Sequence, residues 1–462
     1  MQELNLGYHY PIIYWNTACL IINAGANEEL NDNKSTQYGK IAKAIANFKQ
    51  RSIIVDRPLI NEAKFSFVPD EKNNRIIFSF KGLCGIGDDI ARAIVEHQPY
   101  SSFEDFCKRM VDTKIIGTAK MIILIKAGCF NELDSPDRME TMKKFLSRNV
   151  FTPIDKLTMQ QFNSALEYDI FPKEMETMIR IKNFKAYALH ESFFLKNIID
   201  EGKKVPKKGY HDRYFALDER GTEFLMEHFN TCIVGTKEDG VIISEKLFNK
   251  EWDALIQPLK DYMALPETLQ LYNQKKLDST MESYASGSLE QWDMESLSYY
   301  PDRHELWNLN EPKYGVVDYN SLSETPQVYQ YITRRIRGEI KHTPKFQIVR
   351  LAGTVLDSDN NKHLVTLLTN HGVVTCKYNK GQYSYYNKRI SEQTPAGKKK
   401  VLEESWFKRG SKIIVCGYRR EDQFVVTKYA DTVYTHTTNR IEEIYNDGTI
   451  LAQTDRKKVG EE

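Results

Sequence analysis

The sequence predicts a multidomain α+β protein: a helical helix-hairpin-helix domain followed by an all-β OB-fold barrel. Three observations carry this. A Gly-x-Gly turn at Gly85-Ile86-Gly87 opens a run of closely punctuated helical signals. Beyond Thr343-Pro344 the hydrophobic period changes from helical to alternating, and five short strand candidates follow. Positive charge concentrates on the same stretch: residues 341–440 hold 18 Lys plus Arg against 8 Asp plus Glu, a net of +10 in a chain whose total is only +1.

At 462 residues with 41% hydrophobic side chains, the chain is long enough for two to four folded domains. Seven cysteines, Cys19, Cys84, Cys107, Cys129, Cys232, Cys376 and Cys416, are scattered singly with no Cys-x-x-Cys pair. That usage implies a reducing cytoplasm and excludes a zinc ribbon or a dithiol redox centre. No signal-peptide pattern is present, and the apolar stretch from Pro11 to Ala26 is broken by Asn16, Thr17 and Asn23, so no membrane partner is expected.

Residues 1–50 are expected to be helical, with Tyr8, Tyr10, Tyr14 and Trp15 in the first part and Ile41, Ala44, Ile45 and Phe48 on one face of a helix from Ser35 to Arg51. Residues 51–146 begin with short strands: Phe65 to Val68 and Arg75 to Phe80 flank the polar turn from Asp70 to Asn74. Two helices follow, one opened by a capping box at Ser101-x-x-Glu104 and one from Thr118 to Ala127 stopped by Gly128. Residues 147–340 read as a mainly helical connecting region, with apolar spacing such as Met139, Met142 and Leu146 leading into it. Residues 341–440 supply the strand candidates Phe346–Leu356, His363–Leu368, Val373–Tyr378, Lys412–Gly417 and Phe424–Thr427. A turn at 357–361 separates the first two, and a long segment, 379–411, separates the third and fourth. Five strands so connected suit an OB barrel, with an SH3-like barrel as the competitor. Residues 441–462, with a net charge of −3 from 3 basic and 6 acidic side chains, read as a polar tail.

Gly85 and Gly87 permit a tight turn, and a helix starting near Asp88 would offer free N–H groups to one phosphate, with Lys81 beside it. A dinucleotide site is the rival reading, as is a purely structural turn. A Rossmann unit needs a second parallel strand ending in an acid, whereas His97-Gln98-Pro99-Tyr100 leads into another capped helix, which favours a helix-hairpin-helix. Gly128, with Lys126 before it, marks a second candidate hairpin. In the basic segment, cations and rings interleave: Lys380, Tyr383, Tyr385, Tyr386, Lys388, Arg389, Trp406, Phe407, Lys408, Arg409, Arg419, Arg420 and Phe424. Single-stranded nucleic acid requires this mixture, since bases stack on rings while phosphates follow cations. The competing reading places alternate rings inside the barrel; if the segment is extended, at least one of Tyr383, Tyr385 and Tyr386 must face outward.

No catalytic constellation is recognisable. Two-metal nucleotidyl transfer needs converging carboxylates, and the lone Asp-x-Asp, Asp357-Ser358-Asp359, is followed by Asn360-Asn361 and reads as a turn. There is no Gly-x-x-x-x-Gly-Lys-Ser/Thr, His-Glu-x-x-His or Gly-x-Ser-x-Gly motif.

Four blocks in order, Ile54 to Phe65, Phe78 to Gly87, Phe103-Glu104-Asp105-Phe106 and Leu124 to Phe130, resemble the region that follows the fingers of the DNA polymerase III alpha subunit, a bacterial and phage C-family replicative polymerase. Glu295 to Tyr300 resembles the block before that family's OB domain, and Val401 to Gly410 its OB region in phage and Gram-positive versions. The resemblance covers roughly residues 35–146 and 290–440, and residues 1–30 are loosely similar to the end of the fingers. It implies a DNA-binding C-terminal part of a replicative polymerase. The partners implied are primer-template duplex, single-stranded DNA, a polymerase catalytic half carrying the palm, and a sliding clamp. No cofactor is implied on this chain, because Mg2+ belongs to palm carboxylates that have no counterpart here. Two departures matter: Cys84 stands where relatives often carry lysine, and Ser244-Glu245-Lys246-Leu247-Phe248 lacks the glutamine that starts the family's clamp-binding peptide. The alternatives are a stand-alone, non-catalytic DNA-binding accessory protein derived from a truncated polymerase, and a nucleotide-dependent enzyme built on the Gly85–Gly87 turn.

Overall fold

A computed structural model describes residues 11–26, 35–49, 52–195, 213–237, 240–336, 339–393, 399–428 and 437–457. Tyr8 and Tyr10 therefore lie outside the described residues. The chain divides into two units, residues 1–145 with 285–462, and residues 146–284.

In the first unit, α1 (Ile12–Ala24) ends on Gly25 in the left-handed conformation, and α2 (Tyr38–Lys49) buries Ile41, Ala42, Ile45 and Phe48. A small sheet follows. β3 (Arg75–Ile77) lies between β1 (Ile54–Asp56), which it pairs in parallel, and β2 (Val68–Asp70), which it pairs antiparallel. The helices are α3 (Asp88–Glu96), α4 (Phe103–Phe106, continued by a π-turn over Cys107–Val111), α5 (Thr118–Lys126) and α6 (Arg138–Asn149). The cap of α4 sits one residue later than the capping-box reading: Ser102 Oγ accepts from Asp105 N–H at 3.1 Å, while Asp105 Oδ2 accepts from Ser101 N–H at 3.0 Å. Edge-to-face contacts of Phe130 with Phe103 (5.1 Å) and Phe106 (5.0 Å) hold this helical group together.

Residues 146–284 hold a sheet, which the sequence reading did not include, among the helices. Between the helices α7 (Phe162–Glu167), α8 (Glu176–Ala188), α9 (Glu219–His228), α10 (Glu245–Leu255), α11 (Gln257–Met263) and α12 (Pro266–Ala285) runs an antiparallel sheet. Its strands are β4 (Phe194–Leu195), β5 (Tyr214–Ala216), β6 (Ile233–Lys237) and β7 (Gly240–Ser244), in the order β4-β5-β7-β6. Phe184, Phe215, Phe229, Ile243 and Phe248 form its core. Ser244 caps α10 and Phe248 is fully buried, so Ser244 to Phe248 is a helix start rather than an extended peptide.

The chain returns to the first unit with α13 (Leu289–Leu297), α14 (Glu311–Tyr314) and a two-stranded ribbon, β8 (Val328–Ile336) with β9 (Glu339–Phe346). Strand structure thus begins before residue 341. β10 (Val349–Asp359), β11 (Leu364–Thr369), β12 (Gly372–Lys377), β15 (Lys412–Arg420) and β16 (Gln423–Val426) match the five strand candidates and close in the order β10-β11-β12-β16-β15-β10. The β12–β16 pair is parallel and the others antiparallel, the connectivity of an OB fold. β10 serves both ends of the closure, with a bulge between Val355 and Asp357 where it turns from β15 to β11. Gly417 lies so close to β16 that an added Cβ would stand 2.2 Å from the Val425 carbonyl oxygen, so only glycine fits there. Alternate residues Val365 and Leu367, Val374 and Cys376, and Ile413 and Val415 fill the interior.

The long connection after β12 is not extended. It holds α15 (Lys380–Asn387) and a hairpin of β13 (Ile390–Gln393) with β14 (Lys399–Glu403). Nor is the C-terminus simply a polar tail. β17 (Thr438–Ile444) pairs with β15, and β18 (Ile450–Gln453) pairs with β17. Beyond them Arg456 is buried: its Nε donates to Glu403 Oε2 at 2.7 Å and its guanidinium to the carbonyls of Tyr385 (3.0 Å) and Tyr386 (2.5 Å). Among the described residues no helix is long and apolar enough to cross a membrane.

Candidate nucleic-acid interface

The helical region is joined to α13, which precedes the barrel, by a buried ionic cluster. Asp293 on α13 accepts two bonds from Arg57, at 2.6 and 2.9 Å, and one from Arg138 at 2.5 Å. Asp302 adds a third carboxylate oxygen to Arg57 at 2.8 Å. Burial opposes charge on Arg57, and the bonds to Asp293 and Asp302 outweigh it, so its pKa lies above the ordinary arginine value. The block from Glu295 to Tyr300 completes the joint. Tyr299 stacks on Phe78 at 5.4 Å and donates to the Val55 carbonyl at 3.0 Å, while Tyr300 donates to Thr354 of the barrel at 3.2 Å. α2 packs on the barrel so closely that a Cβ on Gly39 would meet Asp357 Cβ at 2.4 Å. This block and the stretch that holds Arg57 stand out in the sequence by resemblance, whereas Arg138, Asp293 and the ion pairs that link them with Arg57 have no local sequence signal.

The glycine turn forms as expected, with Gly85 at φ +85° and Gly87 as the N-cap of α3. Its preceding neighbour is the β3 sheet and a series of turns, not a helix. The Gly85 N–H donates to Tyr38 Oη at 3.3 Å, its carbonyl accepts from Lys120 at 2.5 Å, and Ile86 is buried. The first turn of α3 carries its own carboxylates, Asp88 and Asp89, at the positive end of the helix dipole. Lys81 is paired with Asp88, Lys126 with Glu295 at 2.8 Å, and Gly128 (φ +78°) ends α5 against Arg57. These residues build the motif; a backbone phosphate cradle at Gly85 would first have to displace Tyr38. Cys84 is equally committed, its N–H to Ser296 O at 2.8 Å and its sulfur 2.9 Å from Ser298 Oγ.

On the barrel the interleaved rings separate by direction. Tyr383 and Tyr386, three residues apart on α15, point inward with Trp406, Phe407 and Phe424, all at most 5% exposed. Tyr386 stacks on Trp406 at 5.1 Å, and Trp406 Nε1 donates to Glu403 at 2.7 Å. As direct stacking platforms these five are therefore corrected: they are core, as is Ile86. Tyr385, 49% exposed, is the outward ring, and Lys380, Lys388 and Lys408 are exposed cations. Arg389 is paired with Glu404 at 3.0 Å; Arg419 bonds the Leu322 carbonyl at 2.9 Å and Glu324 at 3.2 Å; Arg420 is exposed.

The structure also gathers cations that the sequence separates. A cleft of about 570 Å³ between α13 and the barrel is lined by Lys408, Arg409, Lys412 and Arg440, with Glu295, Glu305 and Glu442. Lys412 is bonded to Glu305 and Glu295 to Lys126, which leaves Lys408, Arg409 and Arg440 against Glu442. Arg409 also covers the Tyr38 ring at 4.7 Å. The Asp-x-Asp pair stands apart from any such function: Asp359 Oδ1 accepts the N–H groups of Asn361 and Lys362, each at 2.9 Å, and its carboxylate is held below the usual range chiefly by the Lys362 bond. Among the described residues no three His, Cys, Asp or Glu side chains are grouped to hold a metal ion.

A helix-hairpin-helix region bolted to an OB barrel with a cationic cleft defines the class. A family model described as a helix-hairpin-helix motif matches residues 52–140. The chain is 40% identical, over 99% of its own length, to "Probable DNA polymerase YorL" of Bacillus subtilis (strain 168), and equally to "DNA-directed DNA polymerase" of Bacillus phage SPbeta. It spans about a third of the length of these relatives (34%), and so matches only a part of each.

Proposed function

We propose that this chain is the DNA-holding C-terminal part of a replicative DNA-directed polymerase of the DNA polymerase III alpha type. In this reading the helix-hairpin-helix region faces primer-template duplex, the barrel and its cleft take single-stranded template, and nucleotidyl transfer with Mg2+ occurs on palm carboxylates outside these 462 residues. The polymerase part that carries the palm is the partner implied; a sliding clamp has no recognisable peptide in this chain. The work is intracellular, in the bacterial cytoplasm, where phage and host replicate. The observation that carries the reading is the 40% identity over 99% of the chain to DNA polymerases, with the helix-hairpin-helix match inside it.

The cleft gives the test. Lys408 and Arg440 lack carboxylate partners among the described residues and flank the space between α13 and the barrel. Lys408→Ala with Arg440→Ala should flatten the log–log dependence of single-strand affinity on salt by up to about 1.4 units, at roughly 0.7 per lost phosphate contact. An unchanged slope in a variant that melts like the parent would remove the cleft from the interface.

A further inference from the structure

The β8–β9 ribbon belongs neither to the helix-hairpin-helix region nor to the cationic cleft. It forms a sheet of its own, outside the barrel sheet, and its described residues are exposed along most of both strands. Tyr329 is 56% exposed, Tyr331 61% and Ile340 64%. An isolated two-stranded hairpin is marginal in water, so such a ribbon gains from a partner laid against it.

Its register says what kind. Gln330 stands opposite Lys345, Ile332 opposite Thr343 and Arg334 opposite Lys341. Cross-strand partners share a face, so Arg334, Lys341 and Lys345 line one side, with Arg335 on the other. Like charges placed directly opposite are destabilising. Nothing offsets them locally: Glu339 is the single acid on the described ribbon, and none of these four cations has an ion pair among the described residues. At the ribbon's base a cavity of about 380 Å³ is lined by Tyr329, Pro344, Lys345, Phe346, Tyr418 and Lys428. Phe346 and Tyr418 lie 4.6 Å apart, and the Arg420 guanidinium sits 5.7 Å from each ring.

We propose that the β8–β9 ribbon and the aromatic slot at its base form a second grip on single-stranded DNA, phosphates running along Arg334, Lys341 and Lys345 while an unpaired base enters beside Tyr329. A strand with free base faces is the occupant because rings and cations occur together, which a duplex with stacked, paired bases does not use. A two-stranded ribbon also fits a major groove, so a duplex is the competing outcome.

The test uses the full chain with a labelled 20-nucleotide oligothymidylate and a blunt duplex of 20 base pairs. Arg334→Ser with Lys341→Ser should flatten the salt slope on the oligothymidylate by about 1.4 units. Tyr329→Ala should weaken it roughly 5- to 150-fold at fixed salt, with the slope unchanged. Arg334→Glu separates binding from folding: it creates a cross-strand ion pair with Lys341, so the ribbon should be at least as stable while single-strand affinity falls. Wild-type affinity and slope in Arg334→Glu and in the double variant would overturn the proposal, as would an equal loss on the blunt duplex. The cleft variants at Lys408 and Arg440 leave the ribbon intact, so failure of one grip is readable apart from the other.

Discussion

At the scale of single residues, the joint depends on one carboxylate. Asp293 is 3% exposed and answers two guanidinium groups, so Asp293→Ala leaves Arg138 buried without its carboxylate and Arg57 with Asp302 alone. Breaking a buried pair from one side typically costs about 3–5 kcal/mol, and chemical denaturation of the variant should show a loss of that order. A titrating residue lies at the same joint. His304 packs against Tyr300 at 4.7 Å, its Nδ1 accepts the Leu306 N–H at 3.1 Å, and burial pushes its pKa down to about 4. The unfolded chain binds this proton near pH 6.5 and the folded chain does not, so the stability from a neutral His304 is present above pH 6.5 and is lost as pH falls toward 4. The loss should be on the order of 3 kcal/mol and absent in His304→Gln, measured as melting temperature against pH.

At the scale of elements, the C-terminal strands act as a latch. Arg456 and Glu403 are both about 2% exposed at their side chains, and Glu403 also accepts from Trp406, Gln453 and the Lys457 N–H. Burial raises the Glu403 pKa, but the bonds from Arg456 and Trp406 prevail and hold it below the ordinary value. Arg456→Ala should destabilise the barrel by about 3–5 kcal/mol and shift the fluorescence of Trp406, because α15 and the Glu403–Trp406 segment lose their common anchor. This latch is not legible in the sequence: β17 buries only Ile441 among its apolar residues, and its acids, Glu442 and Glu443, look like a solvated tail. The barrel strands are legible because both their alternation and their turns survive in the amino-acid order. The ribbon is not, since exposure on both faces leaves no alternating pattern to read. The direction of the aromatic rings depended on α15: an extended segment would have set Tyr383 and Tyr385 on one side and Tyr386 on the other, whereas the helix joins Tyr383 to Tyr386 inside and leaves Tyr385 out.

At the scale of the whole molecule, the helix-hairpin-helix region, α13 and the barrel form one unit through Asp293 and Tyr299, which reach positions more than two hundred residues away, and Tyr300, which reaches Thr354 of the barrel. The order of motifs in the sequence announces both parts, but the joint between them emerges only from the fold. That joint gives the proposed role its physical content, because duplex and single strand would be held at a set distance. The most direct measurement is an equilibrium titration of the full chain on three labelled DNAs at matched salt: a primer-template with a single-stranded overhang, a blunt duplex, and the template strand alone. Binding should be salt-dependent and tightest on the junction, since only the junction engages both surfaces at once. Equal affinity for all three DNAs, or no binding to the junction at low salt, would contradict it.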